Sequence, residues 1–171
     1  MLLLRISEMR NTKYKTGFSL IEVLIAVLLV GIAIASLVAV NGAFTKANGA
    51  GTDLSTTEFL IGQIRELTTL LPVVDPGSAV WTFGPEGGET LAGYDDLDDF
   101  DGASFSPPIS SERIPLNEFS AFTQQITVEN VSASNFEQVV GDTTSPFVRV
   151  TVKVYLNSRE ISSTSWLRAR Y

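Results

Sequence analysis

Two groups of residues in this 171-residue chain have the types and spacing to do chemistry. The first is GYDDLDDFDG, Gly93–Gly102, which carries Asp95, Asp96, Asp98, Asp99 and Asp101. Carboxylate oxygens gathered on one loop suit Ca2+, a hard cation that takes oxygen ligands. The spacing is not that of an EF-hand: Leu97 stands where D-x-D-x-D-G needs an aspartate, and no Glu comes at the required distance. Like charges crowded together repel unless water or a cation offsets them. The segment therefore reads first as a solvated acidic loop and second as a Ca2+ site. The second group centres on Glu22, the one carboxylate in KTGFSLIEVLIAVLLVGIAIASLV. A charge at the middle of a membrane-length segment costs about 2.5–3.5 kcal/mol on insertion scales. Its position near the start of the run, five residues after Gly17, calls for a reason.

Composition narrows what these groups can do. There is no cysteine, which excludes a disulfide framework, a thiol nucleophile and a thiolate metal site. There is no histidine either, which removes the usual general base and the commonest zinc ligand. The reading is therefore not an enzyme, and no resident cofactor is expected apart from the Ca2+ alternative. Charge is uneven. Residues 1–17 hold Arg5, Arg10, Lys13 and Lys15 against Glu8, a net of +3, which leaves −10 for the rest of a chain whose total is −7. So acidic a body is a poor partner for phosphates, and no nucleic-acid binding is expected. Basic residues directly before an apolar run keep that end in the cytoplasm by the positive-inside rule and send the C-terminal body across the membrane.

The apolar run from Phe18 to Val40 would make a helix of about 34 Å, enough for a hydrocarbon core of about 30 Å. A cleaved secretory signal would have a shorter apolar stretch with its small-residue cleavage site beyond it. Here the small residue, Gly17, comes before the run. GFSLIEVLIAVLLVGIAI resembles the N-terminus of type IV prepilins and of the related pseudopilins of type II secretion systems. Their pattern is a short basic leader ending in Gly, then Phe or Met, then an apolar helix with Glu at the fifth mature position. Gly17, Phe18 and Glu22 match it, and Ser19, Leu20 and Ile21 fit between them.

The resemblance implies cleavage between Gly17 and Phe18 by a membrane-embedded prepilin peptidase, which also methylates the new amine of Phe18. It implies inner-membrane insertion, assembly with other pilins or pseudopilins by a dedicated filament machinery, and pairing of Glu22 with the Phe18 ammonium of a neighbouring subunit. In an apolar helix bundle that pairing fixes register, because an unpaired charge there is heavily penalised. Many filament-forming members have a kinking Pro where this chain has Ala39, so no Pro kink is expected. The D-D-x-D-D-aromatic stretch is also similar to one in some minor prepilins of mannose-sensitive haemagglutinin-type pili.

The elements that would position these groups emerge from pattern. The expected organisation is a leader at 1–17, an apolar helix at 18–47 and an extracytoplasmic domain at 48–171. The helix should pass Val40, Phe44 and Lys46 and be interrupted by Asn48–Gly51. Asp53 or Ser55 would then cap a new helix, with Ser55 and Glu58 as a capping box. Leu60, Ile64, Leu67 and Leu71 fall on one helical face, and Pro72 closes the segment. Ala79–Phe83 reads as a short strand. Phe122, Ile126 and Val128 share one face of another. Val148, Val150, Val152, Val154 and Leu156 alternate with Phe147, Arg149, Thr151, Lys153 and Tyr155, a half-buried antiparallel strand. Asn157-Ser158 makes a two-residue turn. Pairing outward from it sets Val154 opposite Ile161 and Val148 opposite Leu167, with Ser163 and Ser165 turned inward. The fold class is α+β and pilin-like: a long N-terminal helix on an antiparallel sheet of three to four strands. The functional expectation is a minor pilin or minor pseudopilin; a membrane-anchored or filament-tip adhesin with a Ca2+-binding loop is the alternative.

Overall fold

The structure is a computed structural model that describes residues 17–75 and 83–170. One helix, α1, runs Leu20–Thr68. Five strands come after it: β1 Ser104–Phe105, β2 Phe122–Ser132, β3 Asn135–Val139, β4 Phe147–Leu156 and β5 Arg159–Ala169. Two 3-10 turns, Asp98–Phe100 and Asn117–Phe119, lie in the connection between α1 and β2. The chain divides into two compact units at Lys46/Ala47. The basic residues of the leader and the expected strand residues 79–82 lie outside the described residues, and Phe83 sits in a bend.

The first unit contributes the N-terminal part of α1, whose side chains from Leu20 to Lys46 are all exposed. α1 contains an 18-residue window of mean hydropathy 3.1 and is long and apolar enough to cross a membrane. Exposed Leu, Ile and Val all round a helix are the mark of a segment whose solvent is lipid or other apolar helices.

The interruption expected at Asn48–Gly51 does not occur, and the capping box at Ser55 and Glu58 does not form. α1 is continuous through these residues. Ser55 Oγ donates back to Gly51 O, and Thr52 Oγ1 to Asn48 O, in place of any capping bond. The reason is arithmetic between small and large costs. A glycine in a helix interior costs about 1 kcal/mol. Ending and restarting the helix would leave up to eight backbone groups without helical partners and require a second nucleation. The continuous helix is the cheaper solution.

In the second unit the face of α1 made by Thr57, Leu60, Ile61, Ile64 and Thr68 is buried. Its apolar members pack with Ile126, Val128, Val148, Val150, Val152 and Val154 of the sheet into one core. Leu67 and Leu71 pack at its margin. The sheet is antiparallel, in the order β1-β2-β4-β5, with β3 also on β2. β4 covers one edge of β2 from Phe122↔Leu156 to Val131↔Phe147. β1 and β3 share the other edge, β1 at Gln124 and Gln125, β3 at Val131 and Ser132. The strands number five rather than three or four. The extra ones are two residues long in one case and exposed at every position in the other, so neither leaves a hydrophobic pattern in the sequence.

The turn at Asn157-Ser158 forms, with φ of 49° and 67°, the left-handed pair that a two-residue hairpin needs. The register beyond it differs from the expectation. A bulge comes after Tyr155↔Glu160, so that Val154 faces Ser162 and Val148 faces Arg168. One extra residue in a strand exchanges its faces. The α1 side of β5 therefore carries Ser162, Thr164, Trp166 and Arg168, while Leu167 is exposed. α1 explains the choice. Arg168 Nη1 and Nη2 donate to Thr68 O and Leu71 O at 2.8 and 2.9 Å, satisfying carbonyls that the helix end leaves open. The Arg65 guanidinium lies 5.5 Å from the Trp166 ring centroid, and Ser162 Oγ donates to Glu58 Oε1. The unbulged register would have put Leu167 and two serines there and left the helix end uncapped.

Candidate functional site

Glu22 lies in the first turn of α1. Its Oε2 accepts from Ser19 N at 2.7 Å and from Ser19 Oγ at 2.8 Å, while Glu22 N donates to Ser19 Oγ at 3.3 Å. Ser19 O accepts from Val23 N. This reciprocal arrangement is a capping box, Ser-x-x-Glu, at the start of the helix. Its signal is present in the sequence as Ser19 and Glu22, where the assembly role expected of Glu22 masks it. The box fixes where the carboxylate points. One oxygen takes both Ser19 donors, and the exposed carboxylate keeps Oε1 free of any partner among the described residues. Gly17 and Phe18 precede the helix in exposed, non-helical chain, and among the described residues nothing lies within 4 Å of where a Gly17 Cβ would be.

The acidic segment is not a solvated loop. Asp96, Asp98 and Asp99 are each buried, at 1% exposure. Leu97 and Phe100 explain why. Both are fully buried in the core, and the Asp98–Phe100 3-10 turn carries the aspartates between them inward as they dock. Leu97 N donates to Pro72 O, tying the segment to the chain just beyond α1. Tyr94 packs edge-on against Phe100. Arg113 reaches the residues in front of the turn, but its guanidinium donates to the backbone carbonyls of Leu91, Ala92 and Tyr94. No ion pair among the described residues includes an aspartate of this segment.

The carboxylates are held by backbone donors. Asp99 Oδ2 accepts from Asp95 N at 2.9 Å and Asp96 N at 3.2 Å, and Asp96 Oδ1 accepts from Asp99 N at 3.2 Å. Asp98 Oδ2 accepts from Gly84 N at 3.1 Å. The Oδ1 atoms of Asp98 and Asp99 are buried with no hydrogen-bond partner. Burial and the neighbouring Asp98 carboxylate push Asp96 up to about 8. Burial also raises Asp98. Glu89 is raised by desolvation and by the charge on Asp99.

Two sets of carboxylate oxygens converge. Those of Asp95, Asp96 and Asp99 lie within 4.8 Å of one another, and so do those of Glu86, Glu89 and Asp99. Glu86 and Glu89 are separated from the aspartates in sequence, and no spacing signal links them to the acidic run. Asp101 stands apart from both sets. Its Oδ1 accepts from Val128 N at 2.8 Å, beside the Ile126 N to Ala103 O bond, so it caps the open edge of β2 between β1 and β3.

Comparison with known proteins bears on the N-terminal segment. Residues 12–38 match the family model described as the prokaryotic N-terminal methylation motif, the prepilin-type signature of type IV pilins and pseudopilins. No curated protein and no solved structure matches the chain. The motif supports a type IV pilin- or pseudopilin-like subunit, a structural rather than enzymatic class. The architecture, a long helix whose C-terminal part packs on an antiparallel sheet, is α+β and pilin-like.

Proposed function

We propose that this chain is a minor subunit of a pilus-like filament, either a type IV pilus or a type II secretion pseudopilus. The observation that carries the reading is the methylation motif at residues 12–38, placed where α1 begins and with Glu22 in its first turn. The precursor enters the inner membrane with residues 1–17 in the cytoplasm and the sheet-bearing body in the periplasm, as the basic leader favours. Prepilin peptidase cuts between Gly17 and Phe18 and methylates Phe18. The mature subunit then leaves the bilayer laterally into a bundle of apolar helices supplied by other pilins or pseudopilins. There the Glu22 carboxylate meets a neighbour's Phe18 ammonium, and the Ser19 cap holds it on the side of the helix start where that neighbour arrives.

The adhesin alternative is not favoured as a surface that recognises an external ligand through the acidic segment. A ligand-binding surface built on the acidic segment needs exposed carboxylates, and three of the five aspartates are folded into the body.

Processing is the test. Mass spectrometry of the protein from cells that contain the peptidase should show an N-terminal Phe18 bearing one methyl group. Gly17→Val should abolish this and leave an inserted precursor outside the filament. An intact Met1 terminus in such cells would overturn the reading.

A further inference from the structure

We propose that the carboxylates of Asp95, Asp96 and Asp99 hold a Ca2+ ion that fastens the connection between α1 and β2 to the body, with Glu86 and Glu89 forming a second oxygen set that shares Asp99. This goes beyond the filament reading and stands or falls separately from it. Two independent observations support it. One is geometric. Oxygens bound to a single Ca2+ at about 2.4 Å are at most about 4.8 Å apart. The ligand oxygens of each set satisfy that limit, and Asp99 belongs to both sets. The other concerns satisfaction. Asp99, common to both sets and 1% exposed, buries its Oδ1 with no donor among the described residues. A buried carboxylate oxygen without a donor or cation is a heavy cost, and native interiors hold few such groups.

Among the described residues the rest of the surroundings supply no cation. Arg113, the side chain of positive charge that contacts the segment, is taken up by three backbone carbonyls. The backbone donors of Asp95, Asp96, Asp99 and Gly84 fix the carboxylates but neutralise none of them. A soft or borderline metal is a poor fit, since the chain has neither histidine nor cysteine. Mg2+ demands a near-ideal octahedron at shorter distances and keeps its waters, whereas Ca2+ accepts irregular carboxylate sets with six to eight oxygens. Crowded oxygens on two loop segments, some inside and some at the surface, suit the larger ion.

The consequence is mechanical. Asp98 ties Gly84 to the 3-10 turn, Asp99 ties Asp95 and Asp96 to it, and Leu97 ties the turn to Pro72. A cation at Asp99 makes these separate ties into one. Without it the segment holds several like charges in a buried space, and its docking is the part of the body most weakened by the loss.

The test uses the full chain in an uncharged detergent, with CaCl2 as the probe after treatment with EGTA and with MgCl2 as the comparison. Unfolding is followed by Trp fluorescence, and binding by titration calorimetry. At about 10 mM CaCl2 the melting temperature should rise by about 5–10 °C, if the affinity is of the order found in extracellular Ca2+ modules, and the same concentration of MgCl2 should do much less. Asp99→Asn should abolish both the rise and the calorimetric signal. It keeps an oxygen to accept from Asp95 N and Asp96 N, so in EGTA it should melt at or above the wild type. A purely structural carboxylate would show the opposite, a lower melting temperature with or without Ca2+. Should Asp99→Asn fail to fold, Asp95→Asn, an exposed position, is judged by its loss of the Ca2+-dependent rise. Absence of any rise in the wild type, or a full rise in the foldable variant, overturns the proposal.

Discussion

The capping box at the start of α1 gives Glu22 a role beside the proposed ion pair, and the two can be separated by changing one atom set at a time. Ser19→Ala removes the hydroxyl that both donates to and accepts from Glu22, but leaves the carboxylate and its bond from Ser19 N. Loss of such a cap costs about 1 kcal/mol. Every side chain of the first turn is exposed, so the effect is local fraying of a 49-residue helix. Glu22→Gln does the reverse: it keeps an oxygen for Ser19 N and removes the charge. In a packed filament, removing one partner of a buried ion pair costs about 3–5 kcal/mol. At about 1.4 kcal/mol per tenfold, the cap corresponds to about a fivefold loss of incorporation and the charge to about a hundredfold or more. The assay is the ratio of subunit in sheared filaments to subunit in membranes, measured by immunoblot in cells carrying the rest of the filament system. Mass spectrometry confirms that each variant is cleaved. The expected order is wild type, then Ser19→Ala, then Glu22→Gln close to Glu22→Val. If Glu22→Gln assembled like the wild type while Ser19→Ala did not, Glu22 would be present for the cap, and the ion-pair argument would be refuted.

The body yields three further outcomes. Gln124 is fully buried, accepts from Ile109 N and donates to Leu60 O and Ile109 O, so Gln124→Leu should strand the polar groups of Ile109 and cost about 2–4 kcal/mol in chemical denaturation; a cost under about 0.5 kcal/mol would contradict it. Arg168→Lys cannot serve Thr68 O and Leu71 O with one planar fork and should lose about 1–2 kcal/mol, whereas an unchanged midpoint would show that the helix end does not need the cap. In EGTA the melting temperature should fall as pH rises from about 5 to about 9: Asp96 is held up to about 8 by burial, so the folded state keeps a proton that the unfolded chain releases in the ordinary carboxylate range, and that stabilisation is lost as pH passes through the folded value. A metal-free melting temperature that stays flat or rises over this window would show that Asp96 is not held in that way.

What the sequence discloses depends on whether the deciding physics is local. The span of α1 past Val40, the alternation of β4 and the left-handed turn at Asn157-Ser158 are set by near neighbours and are legible. Continuity of α1 through Asn48–Gly51 is not, because two helix-poor glycines are outweighed by the cost of two new helix ends. The bulge at Ile161 is not, because its cause is the carbonyls of Thr68 and Leu71 at the end of α1, about a hundred residues away in sequence. Gln124 reads only as a polar residue on an apolar strand face, since its three bonds go to α1 and the connection. At the N-terminus the reading is almost wholly local: Gly17, Phe18, Ser19 and Glu22 lie within six residues, and the motif is identifiable without a fold.

The acidic segment shows how far a local reading can mislead. Five aspartates in a stretch of ten residues point to solvent when charge alone is weighed. Leu97 and Phe100 reverse that, because each removes a large apolar side chain from water, about 1.5–3 kcal/mol apiece, and the aspartates between them are carried along. Their surroundings then divide the five by chemistry. Asp101 becomes an acceptor for an edge-strand N–H, and Asp98 holds Gly84. Asp99 holds two amides with one oxygen and leaves the other bare. Elsewhere this interior satisfies its polar groups: Gln124 by three bonds, Arg168 by two helix carbonyls, Thr57 and Thr68 by bonds back into α1. Among the described residues the only orphaned buried side-chain oxygens belong to Asp98 and Asp99. Unpaired groups confined to one spot of a well-satisfied interior, and surrounded there by further carboxylates, argue for a cation at that spot rather than for loose packing in general.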